Sequence, residues 1–131
     1  MPIEKSTKII ICLVATALAL CLADIATTYV AVSNGAQELN PAVASDIVNY
    51  GLVTALLFTL PVPVFASIVS ISGTMICNRT LNREMGLSVS ERGSIKMYVA
   101  VGLAFLLSVV ILVRGWAVCN NLLELIGAGI I

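Results

Sequence analysis

Residues 22–44 read LADIATTYVAVSNGAQELNPAVA. One carboxylate, Asp24, stands in a run that otherwise suits lipid. The run then breaks at Ser33-Asn34-Gly35 and passes through Glu38-Leu39-Asn40-Pro41 before a second apolar stretch begins. A lone Asp or Arg near the centre of a membrane helix costs roughly 2.5–3.5 kcal/mol on insertion scales, so Asp24 calls for a partner, and the fold follows from where that partner lies.

Of the 131 residues, 60% are hydrophobic and 11% are charged. That is more apolar surface than a water-soluble domain of this size can bury, which places the chain in a bilayer as a multi-pass protein. The formal net charge is zero and there is no His, so the common imidazole ligand and neutral-pH base is missing, and no basic field exists to attract nucleic acid. The four cysteines, Cys12, Cys21, Cys77 and Cys119, are scattered singly through apolar sequence without C-x-x-C spacing, as packing residues are. No cofactor is expected.

A membrane-spanning helix needs about 20 apolar residues, and three segments supply them: Ile9 to Val32, Gly51 to Cys77 and Met97 to Val118. The middle one contains Pro61-Val62-Pro63, which as a hairpin tip would divide it into two spans. Charge decides against that. Lys5 and Lys8 precede the first span, and Arg79, Arg83, Arg92 and Lys96 fall between residues 78 and 96, whereas residues 33–50 carry no Lys or Arg. Cytoplasmic loops hold the excess of Lys and Arg, so the N-terminus and the 78–96 loop share the cytoplasmic side, with two spans between them. A hairpin tip at the prolines would also leave backbone polar groups unsatisfied in hydrocarbon. The expectation is a single kinked helix in which Pro61 and Pro63 free the carbonyls of Leu57 and Thr59, to be covered by a neighbouring helix or by the Thr59 hydroxyl.

From Pro41 to Cys77 one continuous helix would measure about 55 Å, against a hydrocarbon core of about 30 Å, so the chain must bend before Gly51. Asn40 followed by Pro41 suits a helix start, with Asn as the cap and Pro in the first turn. Val43, Ile47 and Tyr50 then share one face of a short helix lying on the membrane surface or over the bundle. At the N-terminus, lysines, an apolar run and Cys21-Leu22-Ala23 imitate a secretory signal. The apolar run continues past Asp24 to Val32, too long for a signal core, and Leu20 is too bulky for the position before a lipoprotein cysteine, so the first helix is expected to stay. The Asn78-Arg79-Thr80 sequon lies in the loop assigned to the cytoplasm and is read as chance.

The resulting expectation is an all-α membrane protein, a single domain over residues 1–131. It has spans at 9–33, 51–77 and 97–119, a short outer-surface helix at 41–50 and a cytoplasmic loop at 78–96, with the N-terminus cytoplasmic and the C-terminus outside. Small residues recur every fourth position on the first helix (Ala15, Ala19, Ala23, Thr27) and on the second (Ala66, Ser70, Thr74), a device that lets helices approach closely in lipid.

Asp24 lies about 24 Å along its helix from Lys8, and Arg114 about 27 Å along the third from Lys96. Their depths agree, and pairing would offset much of the cost of each charge. One reading is a bridge that fixes helix rotation, or two side chains that separately reach headgroups. The other is a polar site of Asp24, Thr27, Thr28, Glu38, Asn40, Arg114, Asn120 and Asn121, with Gly35, Pro41, Pro61 and Pro63 shaping the backbone. A buried carboxylate among amides and hydroxyls can bind a cation or carry a proton, and nothing in the spacing selects an ion. Gly35 to Pro41 is expected to fold back over the bundle, so that Glu38 or Asn40 hydrogen-bonds to the first or third helix while Asn120 and Asn121 donate to the carboxylates.

The ordered set D-x-x-x-T at Asp24 and Thr28, G-x-x-E-x-N-P from Gly35 to Pro41 and N-N-L from Asn120 to Leu122 resembles a family of short archaeal and bacterial three-helix membrane proteins catalogued as a domain of unknown function. The resemblance spans roughly residues 13–123 and marks Asp24, Thr28, Gly35, Glu38, Asn40, Pro41 and Asn121. It implies a three-helix layout and supplies no activity. Three function classes follow from the residues. The favoured one is a non-enzymatic accessory or structural component, packed in the bilayer with itself or other membrane subunits. An ion, proton or small-solute transport component using Asp24 and Glu38 comes second. An intramembrane enzyme comes last, since Ser and Cys lack an evident base.

Overall fold

The computed structural model describes residues 5–38, 40–83 and 86–131. The fold is all-α, and the described residues form five helices: α1 (Lys5–Ser33), α2 (Pro41–Tyr50), α3 (Leu52–Leu57), α4 (Pro61–Arg83) and α5 (Val89–Gly127). Among the described residues three stretches are long and apolar enough to cross a membrane: Lys5–Ser33, Leu52–Arg83 and Val89–Gly127. The short α2 stands between the first and second of them.

Two glycines make the connections on either side of α2. After α1, Gly35 takes φ 92°, while Ala36 N–H donates to the Ala31 carbonyl and Gly35 N–H to that of Val32, each at 3.0 Å. This is the left-handed glycine ending that satisfies the last carbonyls of a helix. Asn40 then caps α2, its side-chain oxygen accepting from Ala42 N–H at 3.1 Å with Pro41 in the first turn. Between α2 and α3, Gly51 adopts φ 83° and ψ 157°, a region essentially reserved for glycine. The chain turns there, and Tyr50 at the end of α2 meets Phe58 edge-on with ring centroids 5.5 Å apart. α2 therefore rests on the α3 segment.

The kinked helix expected over 51–77 bends where its prolines lie, and the kink is sharp enough to divide it into two helices. α3 stops at Leu57, a turn occupies residues 58–60, and α4 starts at Pro61. Prolines at 61 and 63 withhold the N–H groups that would reach Leu57 and Thr59, and their rings crowd the preceding turn. The backbone tightens in response, with Thr59 N–H donating to Leu56 and Leu60 N–H to Leu57, both at 3.1 Å. The apolar run still forms one candidate span.

The helices also run further than composition suggested. α1 starts at Lys5 rather than residue 9. α4 continues to Arg83 and α5 begins at Val89, so most of the expected 78–96 loop is helical; Glu84 and Met85 in its centre lie outside the described residues. Polar side chains in this region serve as helix ends and ties. Ser88 and Glu91 form a reciprocal capping box at the start of α5. Asn78 donates to Thr7 at 3.0 Å and Lys96 to Asn82 at 2.8 Å, joining α4 to α1 and to α5. α5 does not stop at residue 119 but reaches Gly127, because no Pro or Gly interrupts the chain between Trp116 and Ile126. At about 1.5 Å per residue its 39 residues extend about 58 Å, well beyond a hydrocarbon core of about 30 Å.

Packing is centred on α1 against α5, with α4 in the groove between them. Ile10, Val14 and Ala17 on α1 meet Leu107 on α5 in a buried cluster. The buried residues of α1 are Ile10, Val14, Ala17, Cys21, Asp24, Thr28 and Ala31, steps of four and three that alternate as in a left-handed coiled coil. The four-residue stripe expected to pack is thus not the seam: Ala15 and Ala19 are exposed. On α4, by contrast, Ala66, Ser70 and Thr74 are all buried. Gly73 allows a close approach of α5, since a Cβ there would lie 3.3 Å from a Leu103 methyl. The Thr7–Asn78 and Asn82–Lys96 ties place six of the seven Lys and Arg residues, all but Arg114, toward one end of the bundle. The opposite end is polar and is organised around Asp24.

Candidate functional site

Asp24 sits on the inward seam of α1, 8% exposed, and Thr28 lies one turn beyond it at 7%. Arg114 comes from the facing side of α5. Its Nη1 donates to Asp24 Oδ2 at 2.6 Å, and its Nη2 donates to the Thr59 carbonyl at 2.8 Å. Thr59 is the residue whose carbonyl Pro63 leaves without a helical donor, and the donor that covers it is the guanidinium of a neighbouring helix. The Thr59 hydroxyl goes instead to the Leu56 carbonyl at 2.7 Å. One planar fork thus joins α1, the α3–α4 break and α5, a geometry that guanidinium offers and an ammonium does not.

Asn121, two turns further along α5, completes the cluster. Its Nδ2 lies 2.8 Å from Thr28 Oγ1, 3.1 Å from Thr27 Oγ1 and 3.4 Å from Asp24 Oδ1. Thr27 spends its own hydroxyl proton on the Ala23 and Asp24 carbonyls at 2.9 and 3.1 Å, so toward Asn121 it is an acceptor. The amide has two protons for these three acceptors, so the two shorter contacts, to the threonine hydroxyls, set its orientation and the contact to Asp24 is the weakest. Asp24 thus faces α5 on both sides, with Oδ2 bonded to the guanidinium and Oδ1 at the edge of the Asn121 amide.

Glu38, Asn40 and Asn120 behave differently from the expectation. Glu38 Oε1 accepts from Asn40 N–H at 2.8 Å and Asn40 Oδ1 from Ala42 N–H at 3.1 Å. Among the described residues neither side chain bonds to α1 or α5, because each is taken up in starting α2. Asn120 faces Glu124 on its own helix at 3.5 Å rather than either carboxylate. At that point α5 is still helical, so residues 120 and 121 diverge by about 100° around the axis and only one can point at Asp24. Leu39, within the expected fold-back, lies outside the described residues.

These residues nevertheless meet around one cavity of about 320 Å³. Its polar wall holds Asp24, Thr28, Glu38, Asn40, Thr59, Arg114, Asn120 and Asn121. Ile25, Val43, Leu56, Val113, Trp116 and Ala117 form the apolar wall. Of the expected site residues only Thr27 is absent from the lining, and it supports the wall through Asn121. The shaping residues divide: Gly35 and Pro41 bracket the Glu38 turn, while Pro61 and Pro63 create the break that exposes the Thr59 carbonyl. Sequence reasoning missed Trp116, which is 71% exposed at this level of α5. A signal for it was available, since an aromatic two residues from an intramembrane Arg marks the headgroup boundary. Among the described residues no group of three or more His, Cys, Asp or Glu side chains could hold a metal ion.

Compared with protein-family models, with curated proteins and with solved structures, the chain matches none.

The geometry makes Asp24 and Arg114 energetically coupled. Asp24→Asn and Arg114→Gln should each lower the resistance of the bundle to SDS-induced unfolding in mixed micelles. Arg114→Gln should lower it more, because it also uncovers the Thr59 carbonyl. The double variant should fall short of the sum of the two losses by about 1–3 kcal/mol, the range for groups in direct contact. Additive losses would contradict the coupling.

Proposed function

We propose that this is a small non-enzymatic membrane component that packs with copies of itself or within a larger membrane complex, its polar cluster serving as a clamp between helices. The observation that carries this reading is the pairing of the buried charges: Arg114 bonds Asp24 through one terminal nitrogen and the Thr59 carbonyl through the other, all within the same chain. Such a carboxylate is committed to structure. Further support comes from α5, on which only Leu107 and Leu125 are buried, so most of its apolar length is open to lipid or to another helix.

The proposal includes membership of the three-helix family that the D-x-x-x-T, G-x-x-E-x-N-P and N-N-L pattern resembles. Asp24, Thr28, Glu38, Asn40 and Asn121, five of the seven positions marked by that resemblance, line the same cavity. It also includes an orientation with the N-terminus cytoplasmic, the cavity toward the outside and the C-terminus outside. The gathering of Lys and Arg away from Asp24 supports this.

A second reading, a component for ion, proton or small-solute transport using Asp24 and Glu38, is favoured by one observation. Ser67, Ser70 and Thr74 are buried on α4 between the Thr59 turn and the Asn78–Thr7 tie, and the Ser70 hydroxyl has no hydrogen-bond partner among the described residues. A polar seam thus runs along the bundle interior, although Ser67 and Thr74 spend their protons on the Pro63 and Ser70 carbonyls at 2.7 and 2.8 Å.

Purification of the natively tagged chain in mild detergent tests the first reading. A reproducible partner subunit or a stable homo-oligomer is expected; a monomer without partners across several detergents would contradict it. Orientation is tested separately, in a chain whose native cysteines are replaced. Ser88→Cys should resist a membrane-impermeant thiol reagent in intact cells and react after permeabilisation. Labelling from outside the intact cell would reverse the orientation.

A further inference from the structure

The clamp leaves one charge in the cavity wall without an opposite. Three ionisable side chains line it: Asp24, Glu38 and Arg114. Arg114 is matched to Asp24 at 2.6 Å. Glu38 has no cationic partner among the described residues, and the other Lys and Arg side chains lie toward the far end of the bundle. Its Oε1 is occupied by Asn40 N–H, which leaves Oε2 available. Acceptors also outnumber donors around this carboxylate. Asn121 turns Nδ2 toward Thr28, Thr27 and Asp24, and Asn120 turns its own toward Glu124, and the amide oxygen of each is unused among the described residues. An excess of one negative charge together with unused carbonyl-type acceptors selects a cationic group that carries several N–H donors.

We infer that the cavity binds a primary alkylammonium group, with the ammonium between Glu38 and the Asn120 and Asn121 amide oxygens and the alkyl portion along Val113 and Trp116. A volume of about 320 Å³ lies within the range of small-ligand sites, roughly 300–1,000 Å³. The apolar wall suits methylene groups rather than a fully hydrated ion. Trp116 adds an aromatic face, the side chain most attractive to an organic cation. Such a group reaches this depth either as the headgroup of an aminophospholipid or as a free alkylamine. The inference goes beyond the accessory reading and holds whether or not the chain has protein partners.

Trp116 is the only tryptophan in the chain and lines the cavity, so a change in its emission that saturates reports on occupancy. The full chain in phosphatidylcholine nanodiscs, titrated with hexylamine near neutral pH, should show a saturable change in tryptophan emission, whereas hexanol and hexanoate should give none. Glu38→Gln keeps an oxygen for Asn40 N–H while removing the charge. It should weaken the hexylamine response by about tenfold or more, the scale of a hydrogen bond to a charged group. If the headgroup is the natural occupant, nanodiscs containing phosphatidylethanolamine will show the altered emission before any amine is added and a weaker hexylamine response. If the free amine is the occupant, the titration will be the same in both lipids. The absence of a saturable change, an equal response to hexanol, or an undiminished response in a folded Glu38→Gln variant would overturn the inference.

Discussion

A carbonyl without a donor sets the arrangement of this protein. Pro63 cannot supply the N–H that would close the helix onto Thr59, and in hydrocarbon an unsatisfied backbone group costs several kcal/mol. The charge on Asp24 poses a parallel problem on α1. Arg114 resolves both with one guanidinium, which also lowers the cost of its own burial. Each group would be destabilising alone, and each is tolerated because the other two are present. This mutual dependence explains why the α3–α4 break is held against α1 and α5 rather than hanging loose in the bilayer. It also fixes the rotation of all three elements, because an alternative packing of the same apolar surfaces would strand at least one polar group.

The cavity follows from the same break. Had residues 52–83 formed one straight helix, that helix would have continued up the groove between α1 and α5. The turn at 58–60 diverts it. α3 then carries α2 across, with Gly51 supplying the backbone angles and Tyr50 resting against Phe58. The Glu38 turn, tied to the start of α2 by the Asn40 N–H bond, comes with it. Clamp and cavity share a wall, so whatever enters the cavity meets Arg114 and Asn121 on one side and the Glu38 turn on the other. Engagement of Glu38 therefore touches α2 directly and the clamp through its neighbours.

The sequence made the polar chemistry more legible than the packing. Asp24 and Arg114 could be matched because each is the only charge well inside its apolar run and both lie at similar depth. The two carbonyls that lose their usual helical donors could be named from the proline positions alone. The partner of Thr59 could not, since that required knowing which face of α5 Arg114 takes. Helix faces were hidden for a physical reason: lipid-exposed and helix-packed positions are both apolar, so the periodicity that marks a core in water is faint here. The regular Ala15, Ala19, Ala23 spacing therefore misled, while the true seam runs through Ile10, Val14, Ala17, Cys21, Asp24, Thr28 and Ala31. Polar composition misled in the opposite way between residues 78 and 96, where Asn78, Asn82 and Lys96 tie helices that continue past the apolar region. Glu38 and Asn40 could be placed near Asp24 from the short connection, but their competing use as the start of α2 fixed their hydrogen bonds.

The central claim, that Arg114 fastens the α3–α4 break to the rest of the bundle, is most directly tested by spin-label distances in a chain whose native cysteines are replaced. Labels at Val53 on α3 and Leu123 on α5, both exposed, report on the polar end. Labels at Ile76 on α4 and Tyr98 on α5, also exposed, report on the basic end. With Arg114→Gln the Val53–Leu123 distribution should broaden and shift to longer distances, while the Ile76–Tyr98 distribution stays narrow. An unchanged Val53–Leu123 distribution in that variant would contradict the claim.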